Sequence, residues 1–191
     1  ILDRVCANLT NEARQQIFQA SNQFENRVRQ VLQSEIYGMG LVIDFNPHPQ
    51  AFPDIAVGEF GIEVKFTTND TWRSVANSVL ETNRIQDVKK VYLIFGKMGG
   101  IPEVKWDIYA KSVIHVRTSH VPRFEVEISA KYSLFDLMEV SYDQFRTSSM
   151  EEKMHLIRAY ARKRLKPGER LWWLEENPES EHSLPIQARL Y

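Results

Sequence analysis

The stretch between residues 52 and 67 constrains the fold most, because it predicts two paired strands. Residues 62–66 alternate between apolar and charged side chains, a pattern typical of a strand with one buried face. Side chains two apart in a strand point to the same face, so Glu63 and Lys65 should lie side by side, with Cα atoms roughly 6–7 Å apart. The glycines at both ends of the segment 58–61 favour a tight turn just before this strand.

That predicted turn brings a second acidic residue toward the charged face of the strand. Asp54 follows Pro53 and lies on the other side of the turn, so a hairpin would fold it back toward Glu63 and Lys65. Mg²⁺ is usually bound by carboxylates together with substrate phosphate oxygens, and a nearby lysine can orient or help to deprotonate water. The alternative interpretation is a hairpin that carries a solvated salt bridge between Glu63 and Lys65.

Composition limits the classes of protein to consider. The 191 residues suffice for one domain with a sizeable core, and a formal net charge of −1 means that any contact with nucleic acid needs a local basic surface. Cys6 is the only cysteine, which excludes an internal disulfide and a cysteine-rich zinc site and favours a reducing compartment. No apolar run approaches the roughly 20 residues of a membrane span, so we expect a cytoplasmic protein without a membrane partner. Because the chain begins at Ile1 rather than methionine, we expect it to be part of a longer protein.

The first predicted element is a long helix over residues 10–35, a region without glycine or proline in which apolar residues recur at helical spacing. Glu25 falls on the apolar stripe, where a carboxylate is costly unless it is paired or bound to a metal. Two interpretations stay open. Either Glu25 is held by such a partner, or it lies at the edge of the stripe, where it reaches water and pairs with Arg29.

The remaining patterns predict an alternation of strands and helices. Residues 72–84 have apolar side chains at helical spacing after a run of N-cap residues, which predicts a helix with Asn77 and Glu81 on one face. A short helix or turn is predicted at 104–109, and a helix beginning near Ser149 opens the C-terminal tail. Strands are predicted at 41–45, 91–95, 112–118 and 124–128.

The motif Pro53-Asp54 followed by Glu63-Val64-Lys65 resembles that of the PD-(D/E)XK nuclease superfamily. The predicted order of helix, three strands, helix and strand is the order of that family's core. The resemblance implies an α/β fold with a restriction-endonuclease-like αβββαβ core, in which helices flank a central mixed sheet, plus a helical C-terminal extension. It assigns residues 1–130 to the nuclease core, and leaves 131–191 as an extension that packs on the core or starts a recognition or dimerisation element.

The same resemblance implies a function and roles for individual residues. The chain would be a Mg²⁺-dependent endonuclease, with Mn²⁺ as a substitute, that hydrolyses phosphodiester bonds of DNA as a type II restriction enzyme or as the cleavage domain of a defence protein. Asp54, Glu63 and Val64 would be the metal ligands. Lys65 would position the attacking water, and Glu25 would be an auxiliary ligand or orient a metal-bound water. The partner would be double-stranded DNA, which a homodimer could cut on both strands, in a bacterial or archaeal cytoplasm.

Polar segments beside the predicted site supply candidate substrate contacts. The N-terminal amides of the helix predicted at 72–84 could face a phosphate, and the basic segment 117–123 could contact the DNA backbone or bases. For the basic segment, an ordinary surface loop is the alternative. The candidate substrate-binding residues are Thr67, Asn69, Arg73, Arg117, His120 and Arg123.

Two other functions remain as alternatives. An RNA endonuclease of the cap-snatching type resembles this pattern but usually has a histidine ligand on the first helix, where this chain offers Glu25. A catalytically silent nucleic-acid-binding or interaction domain could keep the fold, but it would have no physical need for two carboxylates and a lysine at one point.

Overall fold

The computed structural model describes residues 1–15, 18–45, 51–117 and 122–168. The helices in these ranges are α1 (Leu2–Gln15), α2 (Ser21–Ile36), α3 (Tyr109–Ser112), α4 (Leu134–Met138), α5 (Tyr142–Thr147) and α6 (Met150–Arg162). The strands are β1 (Ile43–Asp44), β2 (Ile55–Val57), β3 (Phe60–Thr67), β4 (Arg73–Ser78), β5 (Lys90–Lys97), β6 (Glu103–Ile108), β7 (Val113–Arg117) and β8 (Arg123–Glu127).

A five-stranded mixed sheet forms the centre of the fold, with the strand order β1-β2-β3-β5-β6. The β2–β3 hairpin is antiparallel, β3 runs parallel to β5, and β5 pairs antiparallel with β6. The predicted α/β class with a central mixed sheet is therefore confirmed. The predicted strands at 91–95, 112–118 and 124–128 correspond to β5, β7 and β8.

Two helices, rather than the single helix predicted over residues 10–35, cover one face of this sheet. A straight helix over 10–35 would be about 39 Å long, whereas the eight residues of β3 span only about 27 Å. Dividing the segment lets both α1 and α2 bury their apolar stripes against the sheet. Phe18, between the helices, is buried and packs edge-on against Phe24 of α2. Ile62 and Val64 of β3 belong to the same hydrophobic cluster.

The helix predicted at residues 72–84 is wrong, because residues 73–78 form strand β4. β4 pairs antiparallel with β8 in a separate three-stranded sheet of order β4-β8-β7. Val75, Asn77 and Ser78 have modest helix propensity, so pairing with a distant strand outweighs the local helical spacing. The helix N-terminus that we expected to face a phosphate does not exist.

Two further predictions differ from the structure for related reasons. Residues 104–109 lie mostly in strand β6, because antiparallel pairing with the preceding buried strand β5 outweighs the local pattern. The strand predicted at 41–45 is reduced to the two residues of β1 at the sheet edge.

The connection between β3 and β5 explains why the predicted αβββαβ order is not observed. Parallel neighbours need a crossover connection, which is usually a helix. Here the chain between Thr67 and Lys90 instead contributes β4 to the second sheet. The end of β4 and the segment after it thereby come to lie opposite the β2–β3 hairpin, where they line one cavity together with it.

The C-terminal helices pack on the second sheet. Ser133, Ser141 and Ser149 each begin a helix with a capping box, which confirms the helix predicted from Ser149. Phe145 of α5 and Ile157 of α6 share one hydrophobic cluster with strands β5 and β8. Residues 169–191 of the predicted extension lie outside the described residues. In the described ranges, no helix is both long and apolar enough to cross a membrane.

The hairpin's shape predicts that Gly61→Ala is destabilising. A Cβ atom at Gly61 would lie 2.2 Å from Pro53 Cγ and 2.8 Å from Val88 Cγ1, so the packing beside Asp54 must shift. We expect a loss of about 2 kcal/mol in the free energy of unfolding, measured by urea denaturation.

Gly58→Asn is the matched control for this substitution. Gly58 has a φ of +56°, which asparagine tolerates, and a Cβ there would meet no atom within 4 Å. An equal loss in both variants would contradict the packing explanation.

Candidate active site

A polar cavity of about 540 Å³ lies where the hairpin of the central sheet faces the end of β4 and the start of β8. Three of the predicted catalytic residues line it, together with residues from the second sheet and the segment that follows β4. The lining residues are Ala51, Phe52, Asp54, Glu63, Lys65, Asn77, Ser78, Glu81, Thr82, Asn83 and Arg123.

The hairpin brings Asp54, Glu63 and Lys65 together in this cavity. Asp54 immediately precedes β2, and the register that pairs Ile55 with Ile62 folds it back onto β3. Its Oδ2 accepts a hydrogen bond of 2.8 Å from the Val64 amide. Lys65 Nζ lies 2.6 Å from Glu63 Oε1 and donates to it. The two carboxylates are thus fixed by the backbone of one hairpin and by one lysine.

Glu63 is buried, which does not fit the alternative of a solvated salt bridge. Its side chain is 5% exposed and that of Lys65 is 18% exposed. Glu63 Oε2 is buried and has no hydrogen-bond partner in the part of the chain that the structure describes. Because a buried carboxylate oxygen without a partner is costly, this atom fits a cation ligand.

The described residues include no group of three or more histidine, cysteine, aspartate or glutamate side chains arranged to hold a metal ion. Three carboxylates line the cavity, but both oxygens of Glu81 accept hydrogen bonds from neighbouring side chains, which leaves the pair Asp54 and Glu63 for a cation. Val64, the third predicted ligand, could contribute only its main-chain carbonyl oxygen. A set of this kind suits Mg²⁺, which keeps several waters and needs few protein ligands.

The electrostatics of the cavity make Asp54 hard to ionise. Burial, followed by the charge of Glu63, raises the pKa of Asp54 to about 7, although Lys65 and the Val64 amide oppose the shift. Burial lowers the pKa of Lys65, but the charges of Glu63 and Asp54 outweigh that effect and leave its pKa raised. Lys65 therefore stays protonated at neutral pH, whereas Asp54 retains its proton for part of the time.

Glu25 lies near these carboxylates without lining the cavity. It forms an ion pair of 2.6 Å with Arg29, as the edge-of-stripe interpretation predicts. Arg29 Nη2 in turn donates to the main-chain oxygen of Asp54 at 3.4 Å, and the charge of Glu25 contributes to the raised pKa of Asp54. Glu25 thus acts on the site electrostatically and through Arg29.

Arg123 lines the cavity, but the other predicted arginines do not. Arg73 pairs with Glu127, and Arg117 pairs with Glu125, so cross-strand carboxylates of the three-stranded sheet neutralise both. The structure thus separates these two side chains from Asp54 and Glu63.

The remaining predicted substrate contacts are not in the cavity wall either. Thr67 Oγ1 accepts a hydrogen bond from the Asn69 amide in the turn after β3. His120 lies outside the described residues.

A buried polar network backs the cavity wall opposite the hairpin. Glu81 adopts a positive φ of 50°, and its side chain is 1% exposed. Its Oε1 accepts from Tyr142 Oη at 2.6 Å and from Asn77 Nδ2 at 3.3 Å, and its Oε2 accepts from Arg84 Nη1 at 3.1 Å. Tyr109 Oη donates to Asn77 Oδ1.

The sequence indicated only part of this network. Asn77 and Glu81, which we expected on one face of a helix, do contact each other, although that helix is wrong. Tyr109 and Tyr142 come from distant elements of the chain, so no local sequence pattern predicts their contacts with Asn77 and Glu81. The network joins the cavity wall to the N-terminal residue of α5.

Comparison of this chain with protein-family models and with curated proteins finds no match.

The raised pKa of Asp54 predicts how Asp54→Asn changes stability with pH. In the unfolded chain Asp54 ionises near its ordinary value of 3.8, and in the folded protein near 7. The folded state therefore binds more protons in this interval, and ionised Asp54 opposes folding increasingly as pH rises from about 4 to about 7. Asparagine avoids that cost and can still accept from the Val64 amide.

In metal-free buffer we expect Asp54→Asn to be the more stable protein at about pH 8, by on the order of 4 kcal/mol. The advantage should shrink steadily toward about pH 4. Urea denaturation across this range measures it, and an advantage independent of pH would contradict the account.

The buried network predicts that Tyr142→Phe costs stability. The substitution removes one hydrogen bond each from Glu81 Oε1 and Arg84 Nη1, both of which are largely buried. We expect a loss of about 1–3 kcal/mol in the free energy of unfolding by urea denaturation. Tyr132→Phe, at an exposed tyrosine, is the control and should change little. Similar values for the two variants would rule out a structural role for the network.

Proposed function

We propose that this chain is a divalent-metal-dependent endonuclease that hydrolyses phosphodiester bonds of DNA, with the cavity around Asp54 and Glu63 as its active site. The observation that carries the proposal is the buried Oε2 of Glu63, which has no hydrogen-bond partner among the described residues, beside the half-buried carboxylate of Asp54. Two such groups at one point repel each other and lose hydration. A cation bound between them would remove both costs.

The donors at this site fit Mg²⁺, or Mn²⁺ in its place. Asp54 and Glu63 would hold the ion through carboxylate oxygens, with the Val64 carbonyl as a third candidate. When bound, such an ion polarises the phosphoryl group, acidifies a coordinated water and offsets charge on the leaving oxygen.

The protein's own residues supply orientation and charge. The charge of Glu63 holds Lys65 in its protonated form and fixes its ammonium group at 2.6 Å. Lys65 therefore acts as a hydrogen-bond donor that orients water or a phosphate oxygen and stabilises developing negative charge. Asp54 must lose its proton to bind a cation, so its elevated pKa makes metal binding favour neutral to alkaline pH. Glu25 and Arg29 contribute as a charged pair behind Asp54.

DNA is the substrate that the motif's resemblance to the PD-(D/E)XK superfamily favours, and a restriction-endonuclease-like core is the corresponding fold. An N-terminal helix over the sheet, the antiparallel hairpin with the motif and the parallel neighbour β5 support this assignment. The chain departs from the family's order where strand β4 replaces the expected helix. A type II restriction enzyme, acting as a homodimer on double-stranded DNA, or the cleavage domain of a defence protein would use such a site.

Cleavage of supercoiled plasmid tests the proposal. With Mg²⁺ or Mn²⁺ the wild type should cut the plasmid, and chelation should stop it. Asp54→Ala and Lys65→Ala should each lose about 100-fold or more in rate, the usual effect of removing one preorganised catalytic group.

Lys89→Ala is the matched control for Lys65→Ala. Lys89 pairs with Glu59 at the exposed turn of the same hairpin, so its loss removes a similar ion pair outside the cavity. It should cut at the wild-type rate. Cutting of RNA but not of DNA would contradict the assignment of DNA as the substrate. A folded wild type that binds neither Mg²⁺ nor Mn²⁺ would favour a catalytically silent domain.

A further inference from the structure

The second sheet supplies the cavity wall that faces the carboxylates, and it does so through an irregularity in β4. β4 pairs Val75 with Glu125 and Ser78 with Arg123. Between these two pairs β4 advances by three residues while β8 advances by two, so β4 contains one extra residue. Such a β-bulge takes backbone groups out of the regular ladder and re-aims side chains.

The bulge has two visible consequences in the cavity. Asn77 and Ser78 are consecutive, and in a regular strand their side chains would point to opposite faces, yet both line the cavity. The Ala76 carbonyl accepts a hydrogen bond of 2.8 Å from Arg123 Nε. A backbone bond from the Val79 amide to Pro122 O, at 3.1 Å, ties the end of β4 to the start of β8.

Arg123 differs from the other arginines of this sheet. Arg73 and Arg117 are neutralised by Glu127 and Glu125, but among the described residues no carboxylate pairs with Arg123. Arg123 Nε donates to Ala76 O, and within the described ranges the two terminal amino groups of its guanidinium have no hydrogen-bond partner, so their donors are left for another group. The guanidinium also lies close enough to Lys65 for its charge to act on that ammonium group.

Ser78 provides a second donor beside Arg123. Its Oγ accepts a hydrogen bond from the Leu80 amide at 3.3 Å, which leaves the hydroxyl proton to be donated. The register places Ser78 directly across the ladder from Arg123. A fixed guanidinium and a neighbouring hydroxyl together match the oxygens of a phosphate group.

We propose that Arg123 and Ser78 form a phosphate-binding subsite that holds a phosphodiester group of the substrate opposite Asp54 and Glu63. This inference rests on the proposed function. It assigns catalysis and substrate binding to different sheets. The five-stranded sheet holds the catalytic carboxylates, and the three-stranded sheet holds the substrate. The subsite supplies attraction for a phosphate group, which the carboxylates of Asp54 and Glu63 would repel. Lys65 offsets this repulsion only in part, because it is already paired with Glu63.

The binding of a short DNA duplex, followed by fluorescence anisotropy at several salt concentrations, tests the subsite. All variants are built in the Lys65→Ala background with Mg²⁺ present, so that the duplex is not cut during the measurement. Arg123→Gln should weaken binding about tenfold or more. It should also reduce the slope of log K against log salt concentration by about 1, as expected for one lost phosphate contact.

Two further variants separate charge from geometry. Arg123→Lys keeps the charge but loses the planar pair of donors, so it should retain most of the salt slope while binding more weakly than the parent. Ser78→Ala should weaken binding by a smaller factor, with the salt slope unchanged. Arg4→Gln is the control, because it removes an exposed arginine of α1 that pairs with Glu35 far from the cavity, and it should match the parent.

The possible outcomes distinguish this inference from the proposed function. If Arg123→Gln has the parent's affinity and salt slope while the wild type still cuts DNA, the subsite is wrong and the nuclease stands. If the wild type neither cuts nor binds DNA, the proposed function is wrong and the subsite falls with it. Calorimetric titration with Mn²⁺ should give the same affinity for Arg123→Gln as for the parent, and a loss of metal binding would show that the substitution acts on the fold rather than on the substrate.

Discussion

The hydrogen bond from the Val64 amide to Asp54 Oδ2 is the interaction on which the site depends. It holds the residue before β2 against the middle of β3, and so keeps two carboxylates together in a buried place where they repel each other. The apolar residues of the same strand offset the free-energy cost of this arrangement, because Ile62 and Val64 bury their side chains beneath α1 and α2. The local cost appears in the raised pKa of Asp54 and in Glu63 Oε2, for which the part of the chain that the structure describes offers no hydrogen-bond partner.

The second sheet supplies the wall of the cavity that faces this charged hairpin. The crossover between β3 and β5 runs through β4 rather than through a helix, and a bulge in β4 directs Asn77 and Ser78 toward the hairpin. Behind them Glu81 is fixed by Asn77, Arg84 and Tyr142. The C-terminal helices therefore help to hold the wall that we assign to the substrate.

The sequence predicted the elements whose signal is local. The alternation of residues 62–66, the apolar run of β5 and the cap at Ser149 each identify one element without reference to any other. β4 was mistaken for a helix because its apolar spacing fits a helix, while its true partner, β8, lies about fifty residues away. The convergence of Asp54, Glu63 and Lys65 was predictable since one hairpin brings it about. The network around Glu81 was not predictable from the sequence, because it requires side chains from three distant segments.

Calorimetric titration of the protein with Mg²⁺ or Mn²⁺, in buffers of different ionisation enthalpy, tests whether Asp54 and Glu63 bind a divalent cation. If Asp54 and Glu63 bind the cation, binding must displace the proton that Asp54 retains up to a pH of about 7. We predict the release of close to one proton per ion at about pH 6, and of almost none at about pH 8.5. Asp54→Asn should bind more weakly and release no proton. The absence of metal binding, or binding of equal strength and without proton release in both proteins, would contradict the account.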